Sequence, residues 1–149
     1  MDLLSRGALY RDLNLEHMIF HGDKVVLVDH EATLTNQDSS NQEWNLDNRR
    51  GTWDTMAPEE FSGRGKLTQR AATYRTAVVA HLVLTGRLPF ERFSLRSNTY
   101  KWRKQNPPKV SPKLSKSTRK VFSAALSRKP THRHKDPVTF FEALGASFD

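Results

Sequence analysis

The chain of 149 residues contains no cysteine, which excludes disulfide bonds, thiolate catalysis and cysteine-based zinc sites. It also lacks a long hydrophobic run, since no window approaches the ~20 apolar residues that a membrane-spanning helix needs. The N-terminal stretch MDLLSRGALYRDL has no sustained apolar segment of the kind found in signal peptides. These absences predict a protein of a reducing compartment, either the cytoplasm or the nucleus, with no membrane span.

Acidic residues are missing altogether between Arg92 and Lys135. Through Phe61 there are 12 acidic and 5 basic residues, and after it 4 acidic and 19 basic, so the net charge of +8 arises entirely in the second part. Residues 100–104 (YKWRK) interleave aromatic and cationic side chains, as proteins that bind single-stranded nucleic acid do. The tract Arg92–Lys135 therefore predicts either contact with nucleic acid or acidic surfaces, or a set of solvated helix faces.

The residues that are present suffice for one folded domain over residues 1–149. Apolar residues make up 36% of the chain and include eight Phe and three Trp, enough to form a core at this length. Two β-prone runs, residues 18–20 and 25–28, flank His-Gly-Asp-Lys and predict a small hairpin. Residues 29–56 lack steady periodicity and are predicted to form a long loop, which in a compact domain is usually functional or disordered.

Three segments predict helices, so the expected fold is mainly α with one small hairpin. Residues 69–85 are apolar over several turns and end at Gly86, which predicts a buried helix. Residues 116–127 place apolar side chains on one face. Asp136 and Pro137 then supply an N-cap and a proline at the first helical position of a third helix.

Five stretches, taken in order, resemble motifs of the eukaryotic-type serine/threonine protein kinases. Residues 5–13 (SRGALYRDL) resemble the catalytic loop, whose signature is H-R-D-L-x-x-x-N. Residues 29–31 (DHE) stand where that family has D-F-G, and residues 51–59 (GTWDTMAPE) resemble the end of its activation segment. Residues 84–90 (LTGRLPF) are similar to the end of the central helix, and residues 130–133 (PTHR) to a late P-x-x-R element.

The resemblance implies the C-terminal lobe of a protein kinase, helical, with a hairpin beside the catalytic loop and an activation-segment-like loop over residues 29–59. It implies ATP and Mg²⁺ as cofactors and proteins as substrates. The family's Gly-rich loop, strand lysine and adenine-binding hinge have no counterpart in the 149 residues. We therefore expect this chain alone to bind ATP weakly, to be impaired in phosphotransfer and to expose apolar surface for a partner, such as a kinase or a protein that supplies an N-terminal lobe.

The resemblance also assigns roles to individual residues. Asp12 corresponds to the catalytic base that accepts the substrate hydroxyl's proton, and Thr52 to the hydroxyl that meets this aspartate. Asp29 corresponds to a Mg²⁺ ligand, and His17 stands where a second metal ligand, asparagine, belongs. Without the family context, the same residues are consistent with turn residues and a strand-end cap.

Three further residues have structural roles by resemblance. Glu59 and Arg133 match an ion pair that ties the activation segment to the late helices, and loss of either partner would leave a buried charge. Arg11 would pair with a phosphate on the activation segment, for which the candidate acceptors are Ser39, Ser40 and Thr52.

Several positions depart from the family's pattern. Tyr10 replaces a histidine, and Asn14 replaces a lysine that neutralises the transferred phosphoryl group. Imidazole suits zinc or copper better than Mg²⁺, so His17 predicts a weakened Mg²⁺ site. His-Glu at residues 30–31 replaces Phe-Gly, and Ala72 replaces an aspartate that would hold the catalytic loop. Together these departures predict an impaired site.

Three functions are consistent with these patterns. The first is part of a Ser/Thr protein kinase whose remaining half lies elsewhere. The second is a pseudokinase lobe that acts as a binding or regulatory module for another kinase or its substrates. The third is a basic adaptor that contacts nucleic acid or acidic surfaces through Arg92–Lys135, with a steep dependence of binding on salt.

Overall fold

The structure of the chain is a computed structural model that describes residues 8–22, 24–29, 33–35, 43–46, 52–62, 65–90 and 107–148. Within these residues, no helix combines the length and the hydropathy needed to cross a membrane. The cation–aromatic stretch of residues 100–104 and the first part of the basic tract lie outside the described residues.

A central helix, α1, spans Gln69–Thr85 and is buried on most of its surface. It starts at Thr68, whose hydroxyl accepts a hydrogen bond from the backbone N–H of Arg70. It ends at Gly86, which has a φ of +70° and returns its N–H to the carbonyl of Leu82 at 2.8 Å. Only glycine adopts this left-handed conformation without strain, so Gly86 specifies where the helix ends. The prediction of a buried helix over residues 69–85 is confirmed.

Two shorter helices pack against α1, and both begin at capping residues. Helix α2 spans Lys116–Ala125 and ends two residues before the predicted boundary. Helix α3 spans Pro137–Gly145, and its N-cap Asp136 forms a reciprocal capping box with Thr139. The common core of these helices and their neighbours consists of Leu9, Ala57, Leu67, Ala71, Ala72, Tyr74, Ala77, Val78, Phe90, Phe122, Ala125, Leu126, Phe140 and Leu144.

The predicted hairpin is present, formed by antiparallel strands Met18–His21 and Lys24–Leu27. Gly22, with a φ of +62°, provides the positive φ that a tight hairpin turn requires. The hairpin leaves Phe20 72% and Ile19 52% exposed. The apolar surface that the sequence led us to expect is therefore observed.

The prediction of a long loop over residues 29–56 was wrong in part, because two strands lie within it. Leu34–Thr35 pairs with Ala8–Leu9, just before the predicted catalytic loop. Glu43–Leu46 pairs with Gly65–Thr68, just before α1. Just after this region, Pro58–Ser62 forms a 3₁₀ turn. The second pairing brings together the two ends of the segment that carries Thr52.

His81 is a buried residue of α1 whose two ring nitrogens are both hydrogen-bonded. Its Nε2 accepts from the backbone N–H of Ser111 at 3.0 Å, so its Nδ1 carries the hydrogen and donates to the carbonyl of Arg87 at 2.8 Å. The ring also meets Phe122 edge-on, with centroids 5.5 Å apart. Burial lowers the pKa of His81, and the hydrogen bond to Arg87 opposes that shift only in part.

We expect His81 to make the folded protein less stable in mild acid. The neutral ring is favoured in the folded state, so its contribution is complete above the unfolded-state pKa of about 6.5. That contribution declines as the pH falls below this value towards the lower folded-state pKa. Urea unfolding at pH 7.5 and pH 5 tests this: His81→Gln should lose stability at pH 7.5 and show a smaller change between the two pH values. The exposed control His132→Gln should follow the wild type, and an unchanged pH dependence in His81→Gln would contradict the prediction.

Candidate active site

The centre of the site is a contact between Asp12 and Thr52, which are forty positions apart in the sequence. One carboxylate oxygen of Asp12, Oδ1, accepts both the backbone N–H and the hydroxyl of Thr52, each at 2.6 Å. Two short bonds to one charged oxygen fix the carboxylate's orientation. The second oxygen, Oδ2, faces His17.

Asn14 links the segment that follows Asp12 to the same threonine. Its Oδ1 accepts from the backbone N–H groups of Glu16 and His17, which caps the 3₁₀ turn Leu15–His17. Its amide nitrogen donates to the Thr52 hydroxyl at 2.8 Å. From the sequence alone, Asn14 is notable only as the residue that replaces a lysine. An asparagine ahead of a short polar segment is a capping signal, but the bond to Thr52 depends on tertiary contact.

Tyr10 holds Asp29 near this loop. Its hydroxyl donates to the carbonyls of Val28 at 2.7 Å and Asp29 at 3.1 Å. Burial, reinforced by the carboxylates of Asp12 and Asp29, raises the pKa of Tyr10 to about 12, so the hydroxyl stays protonated as a donor. Asp29 itself has a φ of +63°. This backbone conformation is uncommon for residues other than glycine, and it is found more often at functional sites.

His17 completes a cluster of three groups that are able to bind metal. One donor atom from each of Asp12, His17 and Asp29 lies within 4.8 Å of the other two. Nδ1 of His17 is 3.4 Å from Oδ2 of Asp12, and Nε2 is 3.7 Å from Oδ2 of Asp29. The carboxylates are the hard oxygen donors that Mg²⁺ prefers, whereas the imidazole suits transition metals better. The donor set therefore fits Mg²⁺ at Asp29 but not at His17.

A buried network of charged residues lies behind the site. Arg75 of α1 donates to both carboxylate oxygens of Glu60, at 3.0 Å and 2.8 Å, and to the hydroxyl of Thr55 at 3.2 Å. Glu60 also approaches Nε of Arg11 at 3.5 Å, and Thr55 donates to the carbonyl of Thr52 at 3.1 Å. Because Arg11 is next to Asp12 in the chain, the network closes a ring that returns to the segment that carries Asp12.

This ring changes the surroundings expected for Arg11. From the sequence, Arg11 was predicted to pair with a phosphate on the activation segment, but its side chain is 1% exposed and lies beside Glu60. Two of the three candidate phosphate acceptors, Ser39 and Ser40, lie outside the described residues. Sequence reasoning also missed Glu60 and Arg75, since neither belongs to a motif.

Glu59 and Arg133 form a bidentate ion pair between the 3₁₀ turn of residues 58–62 and the segment before α3. The two guanidinium nitrogens of Arg133 lie 2.7 Å and 2.8 Å from the two Glu59 oxygens. The same side chain donates to the carbonyls of Ser127 and Arg70, and lies 4.9 Å from the ring centroid of Tyr74. This pair connects the segment that carries Thr52 to the helical core.

The structure thus brings Asp12, His17, Asp29 and Thr52 into one site. Glu59 and Arg133 form a separate contact, and Arg11 lies behind the site. Residues 30 and 31, which stand in place of Phe-Gly, lie outside the described residues.

Comparisons with known proteins find serine/threonine protein kinases. The chain is 37% identical to the serine/threonine-protein kinase Pkn1 of Myxococcus xanthus over 97 residues, 63% of this chain and 14% of that protein. It is 32% identical to the serine/threonine-protein kinase PknH of Mycobacterium tuberculosis over 133 residues, 86% of this chain and 21% of that protein. The chain is a homologue of the serine/threonine protein kinases.

Kinase relatives extend beyond bacteria. CBL-interacting protein kinase 25 of rice is 30% identical over 131 residues, 85% of this chain and 25% of that protein. No protein-family model matches the chain. The matched part of the chain spans about a quarter or less of the length of each of these three kinases. At the level of the family, the kinase relationship implies phosphotransfer with ATP and Mg²⁺ to protein substrates.

Proposed function

We propose that this chain forms the C-terminal-lobe part of a Ser/Thr protein kinase and that the site around Asp12 directs phosphoryl transfer to a protein hydroxyl. The observation that carries the proposal is the double hydrogen bond from Thr52 to Oδ1 of Asp12, beside the metal-binding groups of Asp29 and His17. Segments forty positions apart in the sequence form this contact.

In this proposal, Asp12 binds and orients the substrate hydroxyl. Thr52 fixes Oδ1, so the carboxylate presents Oδ2 to the hydroxyl and accepts its proton as transfer proceeds. Asn14, engaged with the Thr52 hydroxyl, stabilises the arrangement but supplies no positive charge. A bound nucleoside triphosphate with a divalent metal would supply the phosphoryl group, and Asp29 would hold the metal. The missing cation is expected to make transfer slow, because phosphoryl transfer depends on charge stabilisation.

The test is a transfer assay on the protein as the source cell makes it. The tagged protein is isolated from those cells, its mass is recorded, and labelled ATP is supplied with a Ser/Thr-containing protein substrate. We expect Asp12→Asn to lower transfer by about 10²- to 10⁴-fold, the usual contribution of a positioned acid or base. Glu142→Gln, a change at an exposed acid on α3, is the control and should leave transfer unchanged.

Two outcomes would overturn this function. Transfer that Asp12→Asn leaves intact would belong to a contaminating kinase or to another site. Complete absence of transfer by the folded wild-type protein, with Mg²⁺ or with Mn²⁺, would favour a binding module that has lost catalysis.

A binding module is the second candidate, and an apolar groove favours it. The groove has a volume of about 630 Å³ and lies between the hairpin, α1 and α3. Phe20, Val83 and Phe141 line it and are each more than half exposed. An exposed apolar patch of this kind marks a contact surface. The groove and a catalytic site at Asp12 are compatible with each other.

A further inference from the structure

The imidazole of His17 lies between two carboxylates in the candidate site. Its Nδ1 faces Asp12, and its Nε2 lies 3.7 Å from Oδ2 of Asp29. The side chain of His17 is 19% exposed, so this orientation is fixed by its surroundings rather than by solvent. Which nitrogen carries the hydrogen decides what the site is able to bind.

Nδ1 has two contacts, one of which requires it to donate a hydrogen and the other to accept one. The backbone carbonyl of Asp12, at 2.9 Å, requires Nδ1 to be a donor, whereas the amide nitrogen of Asn14, at 3.2 Å, would require an acceptor. The carbonyl contact is shorter, and Oδ2 of Asp12 adds a second acceptor at 3.4 Å. Nδ1 therefore carries the hydrogen, and the lone pair of Nε2 lies on the side of Asp29.

The lone pair of Nε2 and the carboxylate oxygen of Asp29 are both electron-pair donors, so a cation placed between them would bind to both. Zinc–nitrogen and zinc–oxygen bonds are each about 2.1 Å, so one ion reaches two donors that are up to roughly 4 Å apart. The separation of 3.7 Å between Nε2 and Oδ2 is within this limit. Asp29 is 49% exposed, so its carboxylate has room to adjust to the ion.

The identity of the donors decides which cation is preferred. Mg²⁺ demands an octahedron of oxygen ligands and gives up its water reluctantly, so an imidazole is a poor ligand for it. Imidazole nitrogen suits the first-row transition metals, and a neighbouring carboxylate adds charge. We infer that His17 and Asp29 form a site that prefers a first-row transition dication to Mg²⁺. This inference rests on the proposed function for the location of the metal, but not on phosphoryl transfer itself.

The experiment measures binding of Mn²⁺ alone to the full chain, without nucleotide or substrate. Mn²⁺ is the weakest binder of the transition series, which makes it the most demanding probe of the preference. Loss of the free Mn²⁺ signal in electron paramagnetic resonance gives its affinity at a fixed pH of about 7.5, a pH near the optimum for protein stability. Displacement by MgCl₂ gives the affinity for Mg²⁺. The variants are His17→Asn, Asp29→Asn and the exposed control His132→Asn.

We expect the wild type to bind Mn²⁺ at least about tenfold more tightly than Mg²⁺. His17→Asn should weaken Mn²⁺ binding by at least about tenfold, the lower end of the effect of losing even an outer partner of a metal ligand. The same variant should bind Mg²⁺ at least as well as the wild type does, because it supplies an amide oxygen in place of the imidazole, so the preference for Mn²⁺ disappears. Asp29→Asn should weaken binding of both ions, and His132→Asn should change neither.

Equal affinities of the wild type for the two ions, or an unchanged Mn²⁺ affinity in His17→Asn, would overturn the inference. A second measurement on the wild type covers the case in which a variant does not fold. Substoichiometric Mn²⁺ should broaden the ring resonances of His17 in the NMR spectrum before those of His132, and excess Mg²⁺ should not reverse this. If the preference is found and the transfer assay fails, the proposed function falls while the metal inference stands.

Discussion

Arg75→Met is expected to lower the free energy of unfolding by about 3–5 kcal/mol, because it leaves a buried carboxylate without its main partner. Arg75 and Glu60 are 1% and 0% exposed, and the two charge-assisted bonds between them are 3.0 Å and 2.8 Å long. In the variant, the nearest cation in this network is Arg11, whose Nε is 3.5 Å from Glu60. The substitution also removes the donor to Thr55, which holds the segment that carries Thr52.

Urea unfolding followed by tryptophan fluorescence measures this loss. The matched control is Arg119→Met, which changes an exposed arginine within helix α2 and should stay within about 0.5 kcal/mol of the wild type. A loss in Arg75→Met no larger than that of the control would show that the carboxylate is solvated, contrary to the structure.

Arg133→Met is the second large effect, expected at about 2–3 kcal/mol, because it removes a buried guanidinium that makes charge-assisted hydrogen bonds. Arg133 is buried, and it pairs with Glu59 through two bonds of 2.7 Å and 2.8 Å. It also satisfies the carbonyls of Ser127 and Arg70, at 2.7 Å and 2.9 Å. The variant removes the bidentate partner of Glu59 and the donor to these two carbonyls.

A comparison of substitutions separates charge from geometry at this position. Arg133→Lys keeps the charge but not the planar fork that binds both carboxylate oxygens, so it should recover only part of the lost stability. The exposed neighbour Arg128→Met is the control. Thermal unfolding of the three variants tests the predicted order of stability. Arg128→Met should be close to the wild type, Arg133→Lys less stable, and Arg133→Met the least stable. Full recovery in Arg133→Lys would contradict a role for bidentate geometry.

Local signals in the sequence were enough to predict the helices and the hairpin. Thr68 and Gly86 mark the ends of α1, and Asp136 with Pro137 marks the start of α3, because capping groups act within one turn of the chain. Gly22 likewise specifies the hairpin turn. The strands of residues 34–35 and 43–46 were missed, since each is stabilised by a partner far away in the sequence. Such pairings leave little trace in local composition.

The same distinction applies to the site. By themselves, the residues and their order determined the kinase relationship and identified Asp12, His17, Asp29 and Thr52 as candidate site residues. Only the tertiary structure decided that Asn14 binds Thr52, that Glu60 and Arg75 form a buried ion pair behind Asp12, and which way the His17 ring points. The physical reason is that a motif records residue types at a fixed spacing. A hydrogen bond or buried ion pair depends on which distant groups the fold brings within about 3 Å of one another.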